Sequence, residues 1–474
     1  MKKIFKIISI CIVCGWLQGC KTTSLPTQEI TLNIPATFLP VSDSSNMALL
    51  SWKEYYSDST LLSLIENALA NNPDGKIALQ RMEQAKASVI FTKGQLLPAA
   101  YAGGVAGVRR FGLYTMDGAG NATTDILPGQ IVPVNLPDYL VGLQASWEAD
   151  ITGRLRNQKA AAISRYLGSM EGRNWVVTNL VAEMALQYYQ LQALDQELEI
   201  IRSTIHLQER ALDIVTVQKE SGAANALAVD QFKAQLLNTQ AMEFDVRQKI
   251  LDTENQINLL LGRFPQPVAR QKTEKTSFPT KLHVGVPSQL LANRPDIRQA
   301  ELELVAARAD VRAARAAFFP NLTITASAGF QAFKTSLLFN TPESFVFTLL
   351  GGLWAPLLNR SAIKAGFANA SAYQVEALYQ YHKTILTGYA DVYRGISYLS
   401  NLQEIALRKE NEVNVLLQAV DTAHELYRTG RANYLEVLLI QQNALAARLE
   451  LINTNLQQQV GSVYLYKALG GGWR

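Results

Sequence analysis

The side chains best suited to metal binding or nucleophilic chemistry are few in this 474-residue chain. Its four histidines, His206, His283, His382 and His424, are scattered and read as lacking a ligand partner at i+3 or i+4, the spacing that would set two donors on one helix face. All three cysteines, Cys11, Cys14 and Cys20, fall in the first twenty residues. No G-x-S-x-G turn that would expose a nucleophilic serine is present, and no G-x-x-x-x-G-K loop that would cradle phosphate. Gly118-Ala119-Gly120-Asn121 lies in a polar, proline-flanked loop and reads as a flexible tip without a following helix. The chain is therefore expected to need no metal or cofactor and to be no enzyme. Any transport it supports would be passive or driven by partners.

One cysteine does carry chemistry. Lys2, Lys3 and Lys6 precede an apolar run from Ile7 to Leu17, then Leu17-Gln18-Gly19-Cys20. A basic end, a short apolar segment and a small residue before a cut form a secretory signal over 1–19. A retained anchor helix would need about 20 apolar residues. Leu-x-Gly-Cys resembles the bacterial lipoprotein cleavage box, whose cysteine is acylated and becomes the first mature residue. Cys20 is thus the expected lipidation site, and as the only mature cysteine it can form no intramolecular disulfide. Losing the signal leaves 41 basic against 40 acidic side chains, a balance without the charge footprint of a nucleic-acid binder.

The elements that must position everything else are written twice. Leu69 to Pro98 (LANNPDGKIALQRMEQAKASVIFTKGQLLP) and Leu291 to Pro320 (LANRPDIRQAELELVAARADVRAARAAFFP) share Leu-Ala-Asn, Pro-Asp and the closing proline at one offset of 222 residues. Ser221-Gly222-Ala223-Ala224-Asn225 and Thr429-Gly430-Arg431-Ala432-Asn433 repeat at an offset of 208, as do Leu261-Gly262 and Leu469-Gly470. Two homologous halves, 60–261 and 287–474, follow, joined by a proline-rich connector over 262–286 and preceded by an extended tether over 20–59. Their interdigitation suggests one body. In each half a helix, with Thr60 as N-cap in the first, is stopped by the proline. A strand hairpin comes next, about 100–150 and about 321–356. Tyr139 to Asp150 and Leu322 to Phe333 alternate apolar with small or polar residues over about ten positions, the period of an outer-membrane barrel strand. Four strands cannot close a barrel, and an open edge facing lipid would leave backbone groups unpaired at several kcal/mol each. A membrane location therefore requires oligomers, and three chains would supply twelve strands.

A helix on the order of 100 Å long, at about 1.5 Å per residue, follows each hairpin, from about Arg154 to Ser221 and from about Ser361 to Thr429. Leu180, Met184, Tyr188, Leu191, Leu194, Leu198, Ile201 and Ile205 step by three and four, a seam between helices. After each glycine tip a partner helix returns. Leu435, Leu438, Gln442, Leu445, Leu449, Ile452 and Leu456 keep a heptad.

These residues closely resemble the outer-membrane efflux channel family, TolC-like tunnels, and its lipoprotein branch of NodT/OprM type. The carrying segments are DSTLLSLIENALANNPD after Trp52, SWEADITGRLRNQ at Ser146 to Gln158, VPSQLLANRPDIRQAE and ARAAFFPNLTITASAG in the second half, and YRTGRANYLEVLLIQQ at Tyr427 to Gln442. The resemblance implies a mainly α fold with four membrane β-strands, long α-helical hairpins forming a tunnel, and a trimeric 12-stranded β-barrel above it. It also implies a homotrimer in the outer membrane of a Gram-negative bacterium, docked through a periplasmic adaptor onto an inner-membrane efflux pump of RND type. Acidic side chains after the second tip ring the closed periplasmic end in that family. Here the matching positions are Glu436 and Leu439, with Asn443 next along the face, so leucine stands where the pattern has aspartate. Glu436 can equally be read as a helix-start charge favoured by the dipole. The two tips, Ser221-Gly222-Ala223 and Thr429-Gly430-Arg431, are the expected adaptor contacts. Export of small toxic compounds is the leading expectation. A protein-secreting duct of type I uses the same tunnel, and a coiled-coil lipoprotein without a pore is a third reading.

Overall fold

The computed structural model describes residues 35, 37–38, 46–271, 284–356, 358 and 360–474. The signal, Cys20, most of the tether, 272–283 of the connector and His283 lie outside them. The helical text before Pro98 is two helices, because Pro73 cannot continue the ladder of the first: α1 (Ser59–Asn71) and α2 (Pro73–Gly94). Helix α1 is capped by Asp58, not Thr60: the Asp58 carboxylate accepts from the Thr60 and Leu61 amides at 2.8 and 3.2 Å, and Thr60 is already inside the helix. Then come β1 (Ala99–Arg109), β2 (Leu136–Ala149), α3 (Arg154–Glu220) and α4 (Ala226–Leu260). The second half repeats the order as α5 (Pro295–Ala316), β3 (Asn321–Ala332), β4 (Phe345–Trp354), α6 (Arg360–Arg428) and α7 (Tyr434–Ala468).

Compactness does not follow the repeat. One unit takes 84–166 and 303–378, the other 30–83, 167–302 and 379–474, so each unit draws on both halves. In the first unit the cause is strand pairing: the sheet runs β1-β2-β3-β4, all antiparallel, and the central β2–β3 pair joins the halves. Its register sorts the side chains. Tyr139, Val141, Leu143, Ala145 and Trp147 lie opposite Ala332, Phe330, Ala328, Ala326 and Ile324. Ala328, Ala326 and Leu322 in turn face Phe347, Leu349 and Leu353. One face of all four strands is therefore apolar and uncharged. The other carries Gln144, Ser146 and Glu148 against Ser327, Thr325 and Thr323. Gly142 and Gly329 meet on that second face, where a Cβ on Gly142 would stand 2.6 Å from the Ala328 carbonyl oxygen. Valine at either position would force the strands apart. β1 and β4 are the edges, and β1 is exposed along its whole length.

The chain turns from strand to helix through Asp150, whose carboxylate accepts from the Leu155 and Arg156 amides at 3.0 and 2.8 Å. Between β1 and β2, residues 118–121 belong to a short helix, Met116–Asn121, rather than a flexible tip. Thr115 caps it, and Gly118 is buried against the Gly112 carbonyl, a contact that composition could not reveal.

In the second unit the seam residues of α3 are the core: Met184, Tyr188, Leu191 and Ile201 are fully buried. Residues 46–59 are not extended. Ser51 forms a capping box with Glu54, and Trp52 and Tyr56 sink into the same core as Leu61 and Tyr466. The connector is tied down by Arg270, which bonds Asp195 at 2.6 Å and also Glu254. The repeat is visible atom by atom. Gly262 and Gly470 end α4 and α7 with φ of 65° and 94°. Each lies against the carbonyl of a repeat-equivalent asparagine, Asn71 and Asn293. One residue on, Asn72 donates to the Leu260 carbonyl at 2.9 Å and Arg294 donates to the Ala468 carbonyl at 3.1 Å.

Candidate functional site

The two glycine tips share one backbone geometry. Gly222 and Gly430 have φ of 77° and 70°, a region that glycine enters without a Cβ clash. The Ala223 amide donates to the Gln218 carbonyl and the Arg431 amide to the Leu426 carbonyl, both at 2.8 Å, closing the same reversal. Asn225 then caps α4 by accepting from the Ala228 amide at 2.9 Å, and Asn433 caps α7 by accepting from the Glu436 amide at 3.0 Å. Ser221, Gly222, Ala223, Thr429, Gly430 and Arg431 are all exposed, and a Cβ built on either glycine would have nothing within 4 Å. Each tip also presents one exposed leucine at the equivalent position, Leu227 and Leu435. Leu435 thereby departs from the heptad read in the sequence: it is 53% exposed, and the buried seam starts at Val437 and Leu438.

Glu436, Leu439 and Asn443 lie on one exposed face of α7, turned away from that seam. Leu439 is 54% exposed. Glu436 has a local task as well, since its carboxylate accepts from the Asn433 amide at 3.3 Å and completes a capping box. Two contacts that join the two helical hairpins were not legible in the sequence. Tyr427 donates to the Gln218 side chain, and Gln442 donates to that of Gln235. Gln442, a polar residue within the heptad of the returning helix, was the available signal.

No group of three His, Cys, Asp or Glu side chains among the described residues is arranged to hold a metal ion. His206 does have an i+3 partner, Glu209 at 3.3 Å, but the pair is isolated and exposed. No described helix is long and apolar enough to cross a membrane. The uncharged face of the sheet has the alternation of a lipid-facing strand.

A family model described as "Outer membrane efflux protein" matches residues 64–263 and 286–471. The chain is 31% identical over 464 residues to the pyoverdine export outer membrane protein OpmQ of Pseudomonas putida, covering 97% of this chain and 96% of that one. It is 27% identical over 476 residues to the cation efflux system protein CusC of Escherichia coli O6:H1, covering 99% of both. A crystal structure of CusC superposes with a TM-score of 0.80 at 25% identity, covering 95% of this chain and 99% of the other. With the sheet, the paired helical hairpins and the matched residues in agreement, the chain belongs to the outer membrane efflux protein family and is the outer-membrane exit duct of an efflux system.

Proposed function

We propose that three copies of the chain close one twelve-stranded barrel and that their helical hairpins continue it as a passive periplasmic tunnel. The carrying observation is the four-stranded sheet, uncharged on one face and with β1 and β4 left as edges. Such edges are stable in lipid only when paired, and edge-to-edge pairing of β1 with a neighbour's β4 satisfies them. Purified trimer in a planar bilayer is expected to conduct. A trimer that conducts at no voltage would leave the structural-lipoprotein reading instead. The cargo is small toxic compounds, delivered by an RND-type inner-membrane pump through a periplasmic adaptor. Deletion of the gene is expected to raise drug susceptibility and leave the secretome unchanged, whereas loss of a secreted protein would place the duct in type I secretion.

Glu436, Leu439 and Asn443 form the periplasmic gate in this reading, with three copies of Leu439 closing by apolar contact. The tips meet the adaptor, offering two similar feet per chain, each with an exposed leucine. Gly222→Phe with Gly430→Phe tests this cleanly because both side chains enter open space and only the left-handed backbone is penalised, by about 1–2 kcal/mol per site. The variant is expected to reach the outer membrane as trimer yet lose efflux and adaptor cross-linking. Normal pumping by an equally well folded variant would reduce the tips to turns.

Cys20 is the proposed acylation site. Intact-mass measurement of the mature protein should show an N-terminal acylated cysteine. Cys20→Ala should impair processing or anchoring more than pore formation, because the barrel holds the chain in the membrane independently.

A further inference from the structure

Within the second unit, α3, α6 and α7 and the Arg294 turn line an open-sided cavity of about 460 Å³ that no step of efflux uses. Three cations line it, Arg294, Arg394 and Lys467, against one carboxylate, Asp391. Asp391 is shared, 3.5 Å from Arg294 and 3.7 Å from Arg394, and Arg294 also holds Asp296 at 2.7 Å. Lys467 has no carboxylate within ion-pair distance among the described residues. Its ammonium lies 5.4 Å from the centre of the Trp175 ring, which Arg294 also approaches at 5.7 Å, and burial, reinforced by the charge of Arg294 and opposed from further off by Glu183, Asp391 and Asp296, holds it below the ordinary lysine range. Two further rings, Tyr398 and Tyr464, complete an aromatic wall.

The repeat supplies an internal control. At an offset of 208, the positions of Arg394, Tyr398, Tyr464 and Lys467 are occupied in the first half by Leu186, Gln190, Gln256 and Leu259. Gly395 and Gly461, against which Leu465 and Leu399 pack so closely that a Cβ would stand 3.2 and 2.8 Å from them, correspond to Gln187 and Thr253. Holding the helices together thus requires none of this chemistry, since the first half does so without it. The cavity also opens on a defined side. Asn443, Glu450, Gln457 and Tyr464 follow one another at intervals of seven on α7, and Asp391, Tyr398, Ile405 and Glu412 do so on α6, so a single coiled-coil face runs from the gate residues to the cavity. Tyr398 donates to Gln457 at 2.9 Å across that face.

We infer that this cavity is a binding site for aromatic organic anions passing through the duct, with Lys467 and Arg394 taking the negative charge and the rings of Trp175, Tyr398 and Tyr464 taking the aromatic body. Its tunnel-side placement rests on the proposed reading in which Glu436, Leu439 and Asn443 line the channel. An ion-paired cation already satisfied by the protein would gain little from a ligand, whereas the unpaired Lys467 gains a charge-assisted contact where water is partly excluded. Cavities of several hundred Å³ with apolar walls and a few placed charges are the usual form of small-molecule sites.

The test is calorimetric titration of the full-length trimer in lipid nanodiscs with 2-naphthoate and with 2-naphthalenemethanol, which has the same ring and no charge. Empty discs correct for partition. One saturable naphthoate site per chain is expected, with the alcohol at least about tenfold weaker, the factor typical of one charge-assisted hydrogen bond. Lys467→Met is expected to weaken naphthoate by a similar factor. Equal binding of the two probes to the unmodified trimer would overturn the proposal even if the variant fails to fold. So would naphthoate binding unchanged in a folded Lys467→Met, or no saturable binding, the result expected if an acidic side chain of a neighbouring copy fills the cavity. Conductance of the same unmodified preparation separates the two readings: a trimer that conducts without binding loses the site and keeps the duct, and one that binds without conducting does the reverse.

Discussion

Alanine at Gly470 is expected to lower the stability of the folded protein by about 2–5 kcal/mol, the sum of a left-handed backbone penalty and overpacking. A Cβ at this position would lie 2.7 Å from both the carbonyl carbon and the carbonyl oxygen of Asn293, which ends a short helix, Gln289–Asn293, and accepts from the Trp473 indole N–H at 3.1 Å. Gly430 is also left-handed, at φ 70° against 94°, but has open space around it, so Gly430→Ala should cost only about 1–2 kcal/mol. The difference between the two variants carries the packing term and the further strain of the wider φ at Gly470. Heat denaturation of the two purified variants, followed by loss of helical circular dichroism, measures the difference. Equal midpoints would mean that the Asn293 backbone moves aside at little cost.

Arg294→Met should be damaging for a different reason. The guanidinium is 3% exposed, and removing it strands the Asp296 carboxylate and the Ala468 carbonyl, which lose bonds of 2.7 and 3.1 Å. Deleting one partner of a buried ion pair costs about 3–5 kcal/mol because the other charge stays behind. Asn72→Ala, the equivalent change in the first half, removes neutral hydrogen bonds and should cost about 1–2 kcal/mol. Lysine should not rescue Arg294, since one ammonium cannot reproduce the fork that bonds Asp296 through both Nε and Nη2. Urea unfolding of the three variants under identical conditions ranks them. A methionine variant no weaker than Asn72→Ala would show that Asp296 finds water instead.

What could be read from the sequence was whatever repeats locally. The three-four steps from Leu180 to Ile205 and the alternation from Tyr139 to Asp150 each record a face that must be buried or meet lipid, so period alone revealed α3 and β2. Features set by distant partners were hidden. Asp58 caps α1 in place of Thr60, and its other carboxylate oxygen accepts from the Tyr188 hydroxyl at 2.7 Å, 130 residues on. The docking of the connector depends on Arg270 finding Asp195, 75 residues away. The candidate gate came from the resemblance to the family's motif, and spacing added only that Glu436, Leu439 and Asn443, three and four apart on a helix, share a face. The cavity was not, because its walls come from segments separated by more than sixty residues and its glycines read only as weak helix formers.

The two tips match in backbone but not in what holds their last turns shut. At the second, Glu436 and Asn433 lock each other, whereas at the first the position equivalent to Glu436 is Ala228, and Asn225 acts alone. A reciprocal cap of this kind contributes about 1 kcal/mol to the opening of a helix end. The amides that begin α4 should therefore exchange with solvent several times faster than those that begin α7. In the proposed ring of three chains frayed and clasped ends would alternate, so the proposed adaptor would meet six feet of one shape and two degrees of give.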